Sequence, residues 1–301
     1  MMKLKEYSWP LIQVVLSLLV GILAGGVMIW AYGVSPVEAY SSMAEWALTD
    51  VKAVLDRATP VLLTGISFAI AARANLFNIG AEGQMYFGGL ASLLVALAIP
   101  NPVLAVAAAA LVGAVWSAIA GVLKAVRGVN EVVSTIMLNW IAYYLLGYTV
   151  TVIVPSSLRP WRSMDVPEAA RIPSISEVPI SFLIAVAVAF FFYWLLWGTS
   201  LGYDIRAVGL QPKAAKYGGA NPKKICVYSM LFSGLAAGLA GAMVVLGRAY
   251  YIDQHASVML GMGFDGIGVA LVGRNHPIGI ICLLYTSDAA DDGESVDLGG
   301  R

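Results

Sequence analysis

Long apolar runs separated by short polar islands set the pattern of this chain. Residues 11–32 form the first run, about long enough to cross a bilayer as a helix. Residues 33–58 are mixed. Glu38, Glu45, Asp50, Lys52, Asp56 and Arg57 alternate with Met43, Trp46, Ala47, Val51, Val54 and Leu55 at helical spacing. That pattern predicts an amphipathic helix lying against the outer membrane face. Residues 59–72 are apolar but short for a crossing, 85–99 are apolar again, and Pro100-Asn101-Pro102 marks a turn between 85–99 and the next run. Spans are predicted over 103–123, 129–154, 180–197 and 226–246, with a proline-rich, charged external loop at 155–179. An external stretch, 248–258, leads to a short apolar segment, 259–272, and a turn at 273–277. The expected fold is an all-α integral membrane protein, a polytopic helical bundle with short or broken members.

Composition agrees. The 301 residues are 59% hydrophobic and 12% charged, about half the charge of a soluble domain, with a mean hydropathy of +0.80. Net charge is zero, so there is no polybasic surface for nucleic acid. Two cysteines, Cys226 and Cys282, and two histidines, His255 and His276, make neither a disulfide framework nor a metal set. No Gly-Lys-Ser/Thr phosphate loop and no nucleophile–base arrangement stands out, so neither an enzyme nor a cofactor is expected. Under the alternating topology eleven Lys and Arg fall on one side (Lys3, Lys5, Arg73, Lys124, Arg127, Arg206, Lys213, Lys216, Lys223, Lys224, Arg274). Six fall on the other (Lys52, Arg57, Arg159, Arg162, Arg171, Arg248). The bias predicts a cytoplasmic N-terminus.

Three islands could carry chemistry. Asn75, Asn78, Glu82 and Gln84, with Gly80 and Gly83, fall at a junction between two short apolar segments. A carboxylate at membrane depth is costly, and irregular backbone there belongs inside protein or beside a watery cavity. The island reads either as part of a translocation path or as a cytoplasmic turn with a helix cap. Asn130, Glu131, Ser134, Thr135 and Asn139 make a polar stripe down an apolar span, either gluing helices or lining a pore. Asp265 lies among Gly261, Gly263, Gly266 and Gly268, between short apolar pieces, much as Glu82 does. Paired interruptions in two halves of a transporter often mark the path. Small residues at Gly21, Gly25 and Gly26, and at Gly234, Gly238 and Gly241, suit close helix packing.

A fourth island, 198–225, is basic and lies between two spans. Pro212 suits a first helical position, Ala214 and Ala215 favour helix, and Gly218-Gly219 suits a stop. The spacing predicts a very short helix on the cytoplasmic side, a docking knob for a soluble partner or simply a loop. The tail, 282–301, turns abruptly acidic inside an apolar segment. It resembles the conceptual translation of a transposase-type sequencing adapter, since Cys282-Leu-Leu-Tyr-Thr-Ser287 matches that reading frame. The expectation is therefore a permease domain over 1–281, truncated at its C-terminus, followed by a non-native segment.

Four stretches together carry a family resemblance: Arg73-Ala-Asn-Leu-Phe-Asn-Ile-Gly-Ala-Glu-Gly-Gln84, Asn130-Glu-Val-Val-Ser-Thr-Ile-Met-Leu-Asn139, Arg206-Ala-Val-Gly-Leu-Gln-Pro-Lys-Ala-Ala-Lys-Tyr-Gly-Gly219, and Gly263-Phe-Asp-Gly-Ile-Gly-Val-Ala-Leu-Val-Gly-Arg-Asn275. They resemble the permease subunit of bacterial ABC importers, in the branch of ribose-type and branched-chain amino-acid permeases. Within it the chain is most similar to nucleoside and simple-sugar permeases. The resemblance implies a bacterial cell-membrane location. It also implies a separate ATPase subunit, a second and non-identical permease, and an extracytoplasmic substrate-binding lipoprotein, with lipid as the surrounding medium. The coupling region it implies comprises Arg206, Pro212, Lys213, Ala214, Ala215, Lys216, Tyr217, Gly218 and Gly219. An ion-gradient-driven secondary transporter is the alternative that broken helices and acidic residues would also fit.

Overall fold

The computed structural model describes Leu16, residues 19–175 and residues 178–281; most of 1–18 and the tail at 282–301 lie outside the described residues. The chain divides at residues 51 and 52 into two units. In the first, α1 (Leu19–Ala31) and α2 (Pro36–Thr49) are bent 117° apart. Gly33, at φ 83°, makes the turn between them. The Tyr40 hydroxyl donates to the Ile22 carbonyl at 2.6 Å and lies against Gly25 and Gly26. Gly21 has no neighbour within 4 Å of where a side chain would start, so it is not part of that contact.

The second unit begins with α3 (Val51–Arg73) and departs from the sequence reading. The amphipathic stretch is not one surface helix. It breaks at Asp50, and its second part runs unbroken into 59–72. The resulting 23 residues reach ~34 Å, enough to cross a bilayer. Lys52, Asp56 and Arg57 disguised the first turns. Pro60 does not break the helix. Around it the Thr59 and Thr64 hydroxyls bond the Leu55 and Pro60 carbonyls at 2.7 and 3.0 Å, as polar side chains do where proline disturbs a membrane helix.

There follow α4 (Ala81–Ala98), α5 (Pro102–Arg127), α6 (Glu131–Tyr148), α7 (Ile180–Gly198), α8 (Ser200–Leu210), α9 (Pro212–Tyr217), α10 (Pro222–Val244) and α11 (Met262–Val272). Caps fix several boundaries. The Asn101, Asn130 and Asn221 side chains accept from the first-turn N–H groups of α5, α6 and α10, the usual way of satisfying orphan donors. Both α6 and α10 end in a π-helical turn, at Thr149–Ile153 and Val245–Ala249. Among the described residues five helices are long and apolar enough to cross a membrane, or six if α1 and α2 together form one broken span.

The core is built on α10, which is buried along most of its length between α4 and α5. Glycines allow it. A methyl group on Gly238 would lie 2.3 Å from the Ala109 carbonyl oxygen, and Gly88 and Gly113 press against the same residue. In lipid, where apolar side chains gain nothing by leaving the tails, such close backbone approach supplies the packing that holds helices together.

On the far side, residues 155–172 fold against the segment that follows α10 rather than hanging free. Main-chain N–H groups of Ser163, Val166 and Ile172 donate to the carbonyls of Ile252, Tyr250 and Leu246, each at 2.8 Å. Arg162 and Arg171 lie over the Tyr251 and Tyr250 rings at 3.6 and 4.6 Å. A two-residue hairpin, β1 (Ser174–Ile175) with β2 (Val178–Pro179), leads into α7.

Candidate functional site

After Arg73 the chain leaves the helix and turns back on itself. Asn75 takes a left-handed conformation, φ 56°, and is exposed. Asn78 is fully buried and its amide is saturated. It exchanges two hydrogen bonds with the Gln84 amide, both at 3.1 Å, accepts from the Gly80 N–H at 2.8 Å and donates to the Ser233 hydroxyl at 2.7 Å. Buried amides must be paired in this way, because each lost bond leaves a desolvated polar group. The first island is thus an elbow, residues 74–80, followed by the first turn of α4, which holds Glu82, Gly83 and Gln84.

The second island is fastened to the first. Asn139 spans the α6–α4 gap with both ends of its amide: Oδ1 accepts from the Gly83 N–H and Nδ2 donates to the Ile79 carbonyl, each at 2.9 Å. Ser134 and Thr135 are buried with their hydroxyls bonded to carbonyls at the start of their own helix, and Thr135 lies against Gly80 of the elbow. Asn130 is the exposed cap of α6, and Glu131 forms an ion pair with Lys124 across the α5–α6 turn. The stripe mainly glues; of its residues only Asn139 lines the cavity between α4 and α6.

The third island also meets the first. Glu82 Oε1 accepts from the Tyr86 hydroxyl and from the Gly261 N–H, and Oε2 accepts from the Gly263 N–H, all at 2.6 Å. The Thr64 hydroxyl donates to the Met262 carbonyl at 2.9 Å, and Arg73 donates to the Asn275 and Arg274 carbonyls at 2.9 and 3.0 Å. So α11 runs beside the second half of α3. Thr64 lies nine residues before Arg73, ~13.5 Å along the helix, which places the Glu82 cluster near the middle of the span. Asp265 is exposed on the first turn of α11, next to Phe264.

These contacts frame a cavity of about 590 Å³ between α4, α6 and the start of α11. Of the eight path residues expected from sequence, Glu82 and Asn139 line it. The remaining wall is largely aromatic: Tyr86, Trp140, Tyr143, Tyr144 and Phe264. Trp140 and Tyr144 each meet the Tyr143 ring edge-on, at 6.1 and 5.5 Å, and the Tyr86 ring is 6.3 Å from it. Sequence reasoning missed these rings. Their only signal was the spacing of Trp140, Tyr143 and Tyr144 on one helical face.

The fourth island forms two helices where one was expected. The predicted short helix is α9, with Pro212 at its first position. Gly218 is the helical stop, and Gly219, φ 96°, takes the left-handed turn after it. Ala215 is its buried anchor; Pro212, Lys213, Ala214, Lys216, Tyr217, Gly218 and Gly219 are all exposed, Tyr217 at 96%. Arg206 lies apart, half-buried on α8, over the Trp197 ring at 5.6 Å; Arg73 lies over the same ring at 5.2 Å. A methyl group on Gly209 would fall 2.0 Å from the Arg73 carbonyl oxygen, so α8 rests on the end of α3. Burial, and then the Arg73 charge, hold the adjacent His276 below the usual histidine range.

Comparison with known proteins places this architecture. The family described as branched-chain amino acid transport system / permease component matches residues 51–285. The guanosine ABC transporter permease protein NupP of Bacillus subtilis is 33% identical, over 94% of this chain and 84% of its own length. The nucleoside ABC transporter permease protein NupB of Lactococcus lactis is 32% identical, over 93% and 81%. A glucose ABC transporter permease protein of Haloferax volcanii is 32% identical, over 88% and 75%. No solved structure matches the chain. A bundle with at least five candidate spans among the described residues is consistent with these permease proteins. The chain is a member of the branched-chain amino acid transport system / permease component family: a multi-pass membrane permease subunit of an ABC transporter, and not an enzyme.

Proposed function

We propose that this permease carries nucleosides inward, with simple sugars as the second candidate class. The observation that carries the reading is the cavity. Five aromatic side chains, Tyr86, Trp140, Tyr143, Tyr144 and Phe264, line much of a space of about 590 Å³. That is within the ~300–1,000 Å³ usual for small-molecule sites, where a mainly apolar wall holds a few polar groups. Flat rings suit a nucleobase, whose stacking on an aromatic side chain is worth about 1–3 kcal/mol. Two of the relatives named above are guanosine and nucleoside permeases, and one is a glucose permease.

In this reading α9 is the coupling helix, its exposed Lys213, Lys216 and Tyr217 entering a groove of the ATPase. Arg206 stands behind it on α8. A second, non-identical permease completes the path, and an extracytoplasmic binding lipoprotein delivers cargo. The N-terminus is cytoplasmic, following the eleven-to-six bias of basic residues. The test is uptake of radiolabelled guanosine and of glucose by membrane vesicles carrying the complete transporter. Guanosine uptake that unlabelled nucleosides suppress and glucose does not is the expected result; the reverse order would assign the sugar class.

A further inference from the structure

Glu82 is the acidic residue most readily taken for a cargo ligand, because it lines the cavity and stands at mid-span. Its bonds point elsewhere. A carboxylate offers about four acceptor sites, and three are filled from within the chain: two by main-chain N–H groups of Gly261 and Gly263, one by Tyr86. Those two N–H groups sit at the cap and second position of α11, where no intrahelical carbonyl can serve them. The carboxylate also lies at the positive end of the α11 dipole, where a negative charge is favoured.

The glycines fit this arrangement. Gly261 has φ 86°, a left-handed conformation. A methyl group on Gly263 would lie 2.5 Å from both the Glu82 nitrogen and Oε2. The helix start is therefore shaped to receive a carboxylate from α4. We infer that Glu82 is a positioning residue: it caps α11 from across the bundle and ties the α11 wall of the cavity to the α4 wall, and cargo is met by the rings around it. With Asn139 holding α6 to the same turn of α4, all three walls of the cavity hang on residues 82 and 83. The inference rests on the proposed path only in taking this cavity as the one that cargo enters.

Amide hydrogen exchange on the purified permease–ATPase complex tests it. Without nucleoside, the amides of Gly261 and Gly263 are expected to be protected, unlike ordinary first-turn amides. Glu82→Gln, which offers a donor to one of the two N–H groups, is expected to speed their exchange about tenfold or more. Guanosine binding to the complex is expected to persist, weakened by no more than about tenfold as the α11 wall loosens, because the rings remain. Tyr86→Phe keeps both main-chain bonds and is expected to leave exchange at 261–263 unchanged. Amides that exchange freely until guanosine is added would overturn the inference, and so would a Glu82→Gln complex with unchanged exchange and lost guanosine binding. The exchange of the wild-type complex decides the question even if Glu82→Gln does not assemble. If guanosine proves not to be the cargo, the exchange in the cargo-free complex still stands by itself.

Discussion

Asn139 and Tyr143 lie one helical turn apart on α6, and they were not equally visible. An asparagine in the middle of an apolar span calls for a partner, and so does a glutamate next to two glycines; both residues stood out from the sequence for that reason. Their partners did not. Nothing in the spacing of residues 79, 83, 139, 261 and 263 announces that one amide and one carboxylate would serve main-chain groups on other elements. Tyr143, Trp140 and Tyr144 were hidden for the opposite reason, since an aromatic residue in a membrane helix reads the same whether it faces lipid, core or cavity. The rings nevertheless supply the test at this scale. Tyr143→Ala, measured as guanosine binding to the permease–ATPase complex without the binding lipoprotein, is expected to weaken affinity by about 1–3 kcal/mol, roughly 5- to 150-fold. Unchanged affinity would remove the aromatic wall from cargo recognition.

The elements show where local chemistry was enough and where packing decided. α9 was legible because Pro212 starts it and Gly218-Gly219 end it, signals that act without tertiary context. The boundary of α3 was not, because charged residues near its start suggested a surface helix while burial of 58–71 carried the helix straight through. The glycines of α10 were correctly read as a packing face, and the structure shows how close the approach is: a methyl group on Gly241 would lie 2.1 Å from the Met85 carbonyl oxygen. Gly241→Ala is expected to destabilise the complex by about 1–3 kcal/mol through forced separation of α4 and α10. Gly21→Ala, with nothing within 4 Å, is expected to leave the thermal midpoint unchanged. Equal midpoints for the two variants would contradict this picture of the core. At α9, whose one buried side chain is Ala215, Tyr217→Glu is expected to leave membrane insertion and the cavity's guanosine affinity intact while lowering uptake at least tenfold, by placing a negative charge on the basic surface proposed to dock the ATPase. Normal uptake by that variant would exclude the tip of α9 from coupling.

For the whole molecule, the described residues form a helical bundle with a cavity lined by aromatic side chains and a short, largely exposed helix, α9. The α6 and α11 walls of its cavity are tied to the first turn of α4, and α8, which leads into α9, rests on the end of α3, so a push on α8 bears on the chain that leads into the elbow. Such a body changes state only if something with different affinity for its two arrangements acts on it. In the family to which the chain belongs, that agent is the ATPase. Vesicles carrying the full transporter, compared with vesicles in which the ATPase subunit is omitted or replaced by a hydrolysis-deficient form, test this most directly. Radiolabelled guanosine is expected to accumulate only where ATP is hydrolysed. Accumulation at the same rate without the ATPase, driven by an ion gradient alone, would contradict it.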